Sequence, residues 1–515
     1  GGGRRDRLIE YLHRVQDDIG HLPAHLLVAL AHELSLAPAE VYEVATFYHH
    51  FDVVKENDAP PPPLTVRICE SVSCAMAGAN ALLDPLQQAL GDAVRVQKVP
   101  CVGRCEAAPV AVVGRLPVER ATIETICTTV DRGTYDDGCP ETAVDLKTYC
   151  SQGGYRALQK LVAADTPAGN EAVIQALEDA RLRGLGGAGF PAGRKWRIVR
   201  DHPGPRLMAV NIDEGEPGTF KDRYYLERNP HAFFEGMLIA AHVVGIEAIY
   251  IYLRDEYAGI RALLERELKA LQEHPPSTLP PIELRRGAGA YICGEESALI
   301  ESIEGKRGMP RLRPPYIAEY GLFGRPTLQH NMETLYWVPT ILEKGANWFA
   351  SHGRHGGSGL RSYSVSGRVK QPGVHLAPAG ISVRELIGEY CGGMLDGHRL
   401  KAYFPGGASG GILPAALGHL PLDFDTLGTH GCFIGSAAVI VLSDHDSVRE
   451  QALNAMRFFA HESWGRCTPC RVGTLKAAEL MAGPEWDRPL LRELCRVMED
   501  ASICGLGQAA PNPLR

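Results

Sequence analysis

Apolar positions recur at helical spacing in RLIEYLHRVQ and LVALAHELSL, so residues 4–50 predict helices, with a break at Ala-Pro (37–38). The four prolines 60–63 form a stiff spacer after this arm. The period then changes. LTVRICE and AVRVQKV are β-type runs flanking a helical ANALLDPLQQAL, which predicts a short α/β unit over 64–125. Residues 131–156 are turn-rich and predict a linker. From 157 to 345 helical segments (HAFFEGMLIAAHVVG, YAGIRALLERELKAL) alternate with strands (RLMAVNID, AIYIYLR, IELRRGAG), the pattern of a layered α/β domain. SYSVSGRV, AVIVLSD and glycine-rich turns over 361–445 predict a small mixed α+β module. Helical periodicity returns in VREQALNAMRFFAHES and PLLRELCRVMEDAS.

At 515 residues the chain is too long for one core, and three or four domains are expected. Apolar residues make up 45% and charged residues 22%, the balance of a globular protein. The net charge of −8 and the lack of a basic run argue against nucleic-acid binding. The N-terminal stretch has no apolar core of signal-peptide type. MLIAAHVVGIEAIYIYL is interrupted by His242 and Glu247, and CFIGSAAVIVL is too short to span a bilayer. A cytoplasmic protein is the expectation, and in that compartment the 14 cysteines are not disulfide partners. Cys127, Cys139, Cys150, Cys391, Cys432 and Cys495 are read as small inert hydrophobes.

The closely spaced cysteines need another account. Cys69 and Cys74 (C-x4-C) and Cys101 and Cys105 (C-x3-C) each follow a β-type run. Loops at strand ends can gather four thiolates, which hold zinc or a two-iron cluster; spacings wider than C-x2-C lean toward iron. Cys467 and Cys470, in HESWGRCTPCRVGT, are compatible with a redox dithiol, half a zinc site or part of an iron–sulfur cluster. The helical residues before them argue against a thioredoxin-type dithiol, which follows a strand. Cys504 in SICGLG supplies a third thiolate.

RGLGGAGFPAGRKW contains G-x-G-x-x-G at Gly184, Gly186 and Gly189. A dinucleotide-binding turn would need a strand before it and a helix after it, but the preceding segment is helical and Pro191 interrupts just after. The loop can still cradle a phosphate through backbone N–H groups, with Lys195 as a point charge. NIDEGEPGTFKDR and GAGAYICGEESALIESIEGKRGMPRLRPPY add acidic and glycine-rich loops directly after strands, where open α/β sheets bind ligands.

Together these motifs resemble two fused NADH-oxidising modules of respiratory complex I. LAPAEVYEVATFYHHF and CVGRCEAAPV resemble its thioredoxin-like two-iron subunit. GGAGFPAGRKW, DEGEPGTFKDR, GAGAYICGEESAL and CTPCRVGT resemble its FMN-binding flavoprotein. The resemblance implies a helical arm (1–62), a thioredoxin-like [2Fe–2S] domain (63–126), a linker (127–156) and a Rossmann-like FMN/NAD domain (157–350). A ubiquitin-like β-grasp module (351–445) and a helical bundle with an iron–sulfur cluster (446–515) complete the chain. By the same resemblance Cys69, Cys74, Cys101 and Cys105 hold the two-iron cluster. Gly186, Gly187, Gly189, Lys195, Asn211, Asp213 and Asn331 hold FMN. Glu214, Glu216 and Glu296 line the NAD pocket, with Phe190 and Tyr316 flanking adenine.

The chain departs from this family at Leu185, Ile198 and Gln329-His330, and above all at Trp464, which stands where the four-iron motif has its first cysteine. Indole cannot ligate iron. Cys467, Cys470 and Cys504 remain, so the expected [4Fe–4S] cluster is either completed by a non-cysteine ligand or water, or replaced by [3Fe–4S]. The implied function is a diaphorase: hydride exchange between NAD(H) and FMN, and single electrons exchanged with iron–sulfur clusters, the flavin carrying the chemistry without a catalytic side chain. The compact length resembles the β subunit of soluble NAD-dependent formate dehydrogenases. Its expected partners are a molybdenum-containing catalytic subunit and a small ferredoxin-like subunit. The alternatives are the diaphorase of an NAD-reducing hydrogenase, a complex I-like module, and a zinc-binding scaffold without catalysis.

Overall fold

The computed structural model describes residues 3–515, so the first two residues of the expected arm lie outside the described residues. The arm folds as helices Leu8–Ile19, Ala24–Leu34 and Pro38–Phe47. Pro38 opens the third helix, where its missing N–H has no intrahelical partner to lose. The apolar face formed by Leu8, Leu12 and Leu27 packs against Ala288, Ile300 and Ile303, far along the chain. Polar contacts fix this docking: Arg285 pairs with Glu10, Arg286 with Asp17 at 2.6 Å, and His13 Nε2 donates to the Gly287 carbonyl at 2.8 Å.

The next unit is a four-stranded sheet in the order 94–99, 64–69, 111–113, 116–118, with the first pair parallel and the others antiparallel. Helix Ile123–Arg132 then runs into the segment expected as a linker. Thr122 caps its start, and Gly133, at φ 70°, ends it. A second helix, Leu146–Ser151, starts where the Asp145 side chain accepts from Thr148 N at 2.7 Å. Residues 133–145 and the turn 152–155 stay irregular, while caps turn the polar stretches beside them into short helices.

The central domain carries an all-parallel sheet in the order Thr327–Asn331, Arg206–Ile212, Ile246–Leu253, Ile282–Arg286. Both faces are covered. Met208, Val210 and Ile212 point toward helices Pro167–Asp179, Ala192–Asp201 and Pro230–Val244, while Leu207 and Ala209 point toward the side that receives the N-terminal arm. Helix Pro230–Val244 buries every residue except His242, which explains its apolar run as core. No helix among the described residues is long and apolar enough to cross a membrane.

A mixed five-stranded sheet comes next, ordered Gly373–Pro378, Leu360–Gly367, Ala438–Ser443, Leu400–Phe404, Leu413–Pro414, with Leu360–Gly367 and Ala438–Ser443 parallel. The chain ends in helices Val448–His461, Thr468–Ala482, Arg488–Ala501 and Gly505–Ala509.

Candidate functional site

Three loops leave the carboxyl ends of the parallel strands and converge. Arg206–Ile212 runs into Asp213–Thr219, Ile282–Arg286 into the turn around Tyr291, and Thr327–Asn331 ends on Asn331. The glycine-rich loop joins them from between two helices. It is folded back by a Gly184 N–H bond to the Phe190 carbonyl at 2.9 Å. Pro191 does not act as the interruption expected from sequence. It caps helix Ala192–Asp201, because the residue just ahead of a helix can be extended.

These loops enclose a cleft of about 320 Å³. Of the residues expected from sequence, Gly186, Gly187, Asn211, Asp213, Glu214, Glu216 and Asn331 line it. Gly189, Phe190, Lys195, Glu296 and Tyr316 do not; they lie in or near the same loops. Lys195 donates to the Gln329 carbonyl at 3.2 Å, and burial lowers its pKa despite nearby Glu296. Lys195 and Arg194 lie over the half-exposed Phe190 ring, Glu296 pairs with Arg313 at 2.9 Å, and Tyr316 is exposed. His330, one of the departures from the family pattern, accepts from the Trp196 indole at 2.8 Å, on the side of the sheet away from Asn331.

The sequence reading missed the cleft's cation. Lys221 is 1% exposed, and its Nζ reaches Asp222 at 2.7 Å, Glu333 at 2.9 Å and Asn331 Oδ1 at 3.2 Å. Asn331 donates in turn to Asp222 at 2.6 Å. Glu214 accepts from the backbone N–H groups of Asp222 and Arg223, at 2.8 and 3.2 Å, and from the Tyr257 hydroxyl at 2.8 Å. Burial still pushes its carboxyl up to about 7. Glu216 accepts from the Tyr291 hydroxyl and from Ser409 N and Oγ at 2.7 and 2.9 Å, and burial raises its pKa as well. Asp213 Oδ2 is buried without a hydrogen-bond partner, and burial holds that carboxyl well above the usual range. Lys221 lies within NIDEGEPGTFKDR, but its burial among Asp222, Glu333 and Asn331 is not displayed there. Ser409, Phe433 and Gly435, also in the cleft, come from the five-stranded module and carried no sequence signal.

The quartet of Cys69, Cys74, Cys101 and Cys105 is fully buried beside this cleft. Cys69 ends one parallel strand and Cys101 comes just after its neighbour. Cys101 Sγ lies 3.3 Å from Cys105 Sγ and accepts from Gly103 N at 3.4 Å. Cys69, Cys101 and Cys105 are coupled through their mutual contacts, which lower the Cys101 thiol and raise those of Cys69 and Cys105. Arg223 donates to the Gly103 carbonyl at 3.0 Å and Arg254 to the Cys101 carbonyl at 2.7 Å, while Phe220 packs on Cys101 and Cys105.

Cys467, Cys470 and Cys504 are buried in one cluster with Trp464 packed against it. Cys467 caps helix Thr468–Ala482 and Cys504 caps Gly505–Ala509, whose residues also line the cleft. Cys495 sits in a separate helix, Arg488–Ala501. Three larger surface depressions, of about 650, 460 and 380 Å³, gather neither thiols nor the converging loops.

Residues 177–340 match the Nuo51 FMN-binding domain, residues 2–133 the thioredoxin-like [2Fe-2S] ferredoxin, residues 362–413 the SLBB domain, and residues 450–515 the NADH-ubiquinone oxidoreductase-F iron-sulfur binding region. The chain is 41% identical over 387 residues to the NADH-quinone oxidoreductase F 2 subunit of Rhizobium meliloti (strain 1021), covering 72% of this chain and 91% of that one. It is 33% identical over 558 residues to the NAD-reducing hydrogenase HoxS subunit alpha of Cupriavidus necator, covering 99% of this chain and 90% of that one. A crystal structure of an NAD+-reducing [NiFe]-hydrogenase in the H2-reduced state contains a chain that superposes with a TM-score of 0.85 at 34% identity, over 99% of this chain and 90% of that one.

Proposed function

The chain belongs to the family of NADH-quinone oxidoreductase F subunits and fused NAD-reducing hydrogenase alpha subunits, and on that premise we propose that it is the diaphorase of a multi-subunit NAD-reducing hydrogenase. It is an NAD-dependent oxidoreductase with modules for FMN, NAD(H), a [2Fe–2S] and a [4Fe–4S] cluster. The finer assignment rests on one observation: the fused hydrogenase subunit matches this chain from end to end. That favours the hydrogenase alternative over the formate dehydrogenase expected from chain length.

The cleft fits a flavin mononucleotide. Asp213 Oδ2 is an orphaned buried acceptor, suited to an N–H or hydroxyl of such a group. Gly186 leaves space that a Cβ, 2.9 Å from Asn331, would fill. Gly186, Gly187, Asn211, Asp213 and Asn331 would hold FMN, with Gly189 and Lys195 flanking. Glu214, Glu216 and Glu296 would face NAD(H), with Phe190 and Tyr316 beside adenine. When bound, FMN supplies the exchange between two-electron and one-electron chemistry. The chain's own residues position the reactants. The Lys221–Asp222–Asn331 network fixes the loop floor, Tyr291 and Ser409 orient Glu216, and Glu214 can carry a proton near neutral pH. The four thiols Cys69, Cys74, Cys101 and Cys105 fit a two-iron cluster by their burial and pairing, and Tyr257 links that loop to Glu214. We read the five-stranded module as a β-grasp, since its central parallel pair joins the first and last of its strands.

The test is co-purification of the native complex with metal analysis. Nickel in the partner subunits is expected. Molybdenum would restore the formate dehydrogenase reading. A preparation without flavin that fails to reduce dyes with NADH after FMN loading would end the diaphorase proposal.

A further inference from the structure

Away from the cleft and the thiols, three metal-ligating side chains meet under the N-terminal arm. One ring nitrogen each from His13 and His50 and a carboxylate oxygen of Asp255 lie within 4.8 Å of one another. His13 is 2% exposed and belongs to helix Leu8–Ile19. His50 follows helix Pro38–Phe47, and Asp255 follows strand Ile246–Leu253. Three separate segments thus supply one donor each.

The donors are held in place. His13 Nε2 donates to the Gly287 carbonyl, so Nδ1 keeps the ring's lone pair, and Nδ1 is buried with no hydrogen-bond partner. A backbone carbonyl that fixes the ring in this way is the common support of a metal-binding imidazole. His50 N donates to the Ala288 carbonyl at 3.3 Å, and Gln16, on the same helix as His13, donates to the His50 carbonyl at 2.6 Å. His50 Nδ1 faces Asp255 Oδ2 at 2.8 Å, and its Nε2 is buried and unpartnered. Arg286 and Arg261 approach the other Asp255 oxygen, at 2.5 and 4.0 Å, and Asp17 offsets Arg286 at 2.6 Å. Burial opposes charge on Asp255, but His50 and Arg286 hold it ionised, while burial and His50 keep His13 neutral. Those are the protonation states that bind a cation. A depression of about 380 Å³ reaches His13 from solvent between the arm helix and the sheet.

We propose that His13, His50 and Asp255 bind a divalent transition-metal ion of the zinc class, which clamps the N-terminal arm to the central domain. Two imidazoles and a carboxylate are a donor set that zinc takes, with water as the fourth ligand. Tetrahedral donors at bonds of about 2.0 Å stand roughly 3.3 Å apart, so small ring rotations close the set. The ion takes the place of the hydrogen between His50 Nδ1 and Asp255 Oδ2. A neutral His50 ring moves that hydrogen to Nε2; a protonated ring releases one proton to solvent. No oxidation state changes. Arg254, next to Asp255, donates to the Cys101 carbonyl at 2.7 Å, so the clamped loop also supports the thiol quartet. The clamp uses no residue of the cleft and no cysteine, and it stands apart from the diaphorase reading.

The full chain, purified with its cofactors, is titrated with zinc chloride and followed by X-ray absorption at the zinc edge and by hydrogen exchange. Nitrogen and oxygen ligands at about 2.0–2.1 Å are expected, without sulfur near about 2.3 Å. Exchange in Leu8–Ile19 should slow as zinc binds. His50→Ala and Asp255→Asn should each weaken zinc binding by about 10- to 100-fold or more. Glu10→Gln, which loosens the arm's bond to Arg285 and removes no donor, should still bind zinc and regain slow exchange. Sulfur ligation, zinc affinity unchanged in both His50→Ala and Asp255→Asn, or bound zinc that leaves exchange in Leu8–Ile19 unaltered overturns the clamp. Flavin and iron contents of the same samples report the diaphorase proposal separately.

Discussion

Gly186 faces Asn331 so closely that an added methyl would meet its Cβ at 2.9 Å. Neither residue can retreat cheaply, because Asn331 is held by Lys221 and Asp222. Gly186→Ala is therefore expected to overpack the cleft by about 1–3 kcal/mol, roughly a 5- to 150-fold loss of FMN affinity, read from flavin retained after gel filtration. Glu216 accepts donors on both oxygens. In Glu216→Gln the amide cannot accept from both, and a stranded donor costs about 1–3 kcal/mol. The expected result is a KM for NADH raised about fivefold or more, measured by steady-state dye reduction. At this scale the acidic and glycine positions were legible, since Asp213, Glu214 and Glu216 follow a strand within a few residues. Lys221 was not singled out, because its value to the cleft comes from burial among Asp222, Glu333 and Asn331, a property the sequence does not display.

The arm is the element whose position departs most from its place in the chain. Helix Leu8–Ile19 inserts His13 against Gly287, and burial holds its imidazole well below its ordinary 6.5. The neutral ring is the one that folds, so its contribution to docking is complete above about pH 6.5 and is lost as the pH falls below that toward its folded value. Asp255, which accepts from His50 at 2.8 Å, is held well below its ordinary value and stays ionised through this window. Hydrogen exchange in Leu8–Ile19 is expected to quicken selectively between about pH 7 and about pH 5, and His13→Gln should flatten that dependence. Periodicity alone located these helices. Their binding face pairs with residues near 288–303, and no local pattern encodes a contact across such a separation.

For the whole molecule, the question is how thiols and cleft are held in one body. Arg223 is 5% exposed, donates to the Gly103 carbonyl at 3.0 Å, and pairs with Glu106 and Glu227. It thus ties the Cys101–Cys105 loop to the floor of the cleft. Arg223→Ala would leave Glu106 largely buried and unpaired, at about 3–5 kcal/mol. The expected outcome is a lower unfolding temperature together with slower appearance of the two-iron signal after NADH is mixed in, followed by rapid-freeze EPR.

Local order in this protein was written in the sequence: a continuous apolar run in Arg206–Ile212, alternation in Leu64–Cys69, helical period in Leu8–Ile19 and Val448–His461, and the cysteine spacings. These depend on neighbours within a few residues, which is the range over which side-chain period and capping act. The tertiary structure alone decided that Ser409 and Phe433 reach the cleft, that Lys221 lines it while Lys195 bonds the Gln329 carbonyl, and that Ser463 meets Cys470. Those outcomes depend on which buried polar groups find partners when distant segments close on each other, and burial is a property of the folded chain.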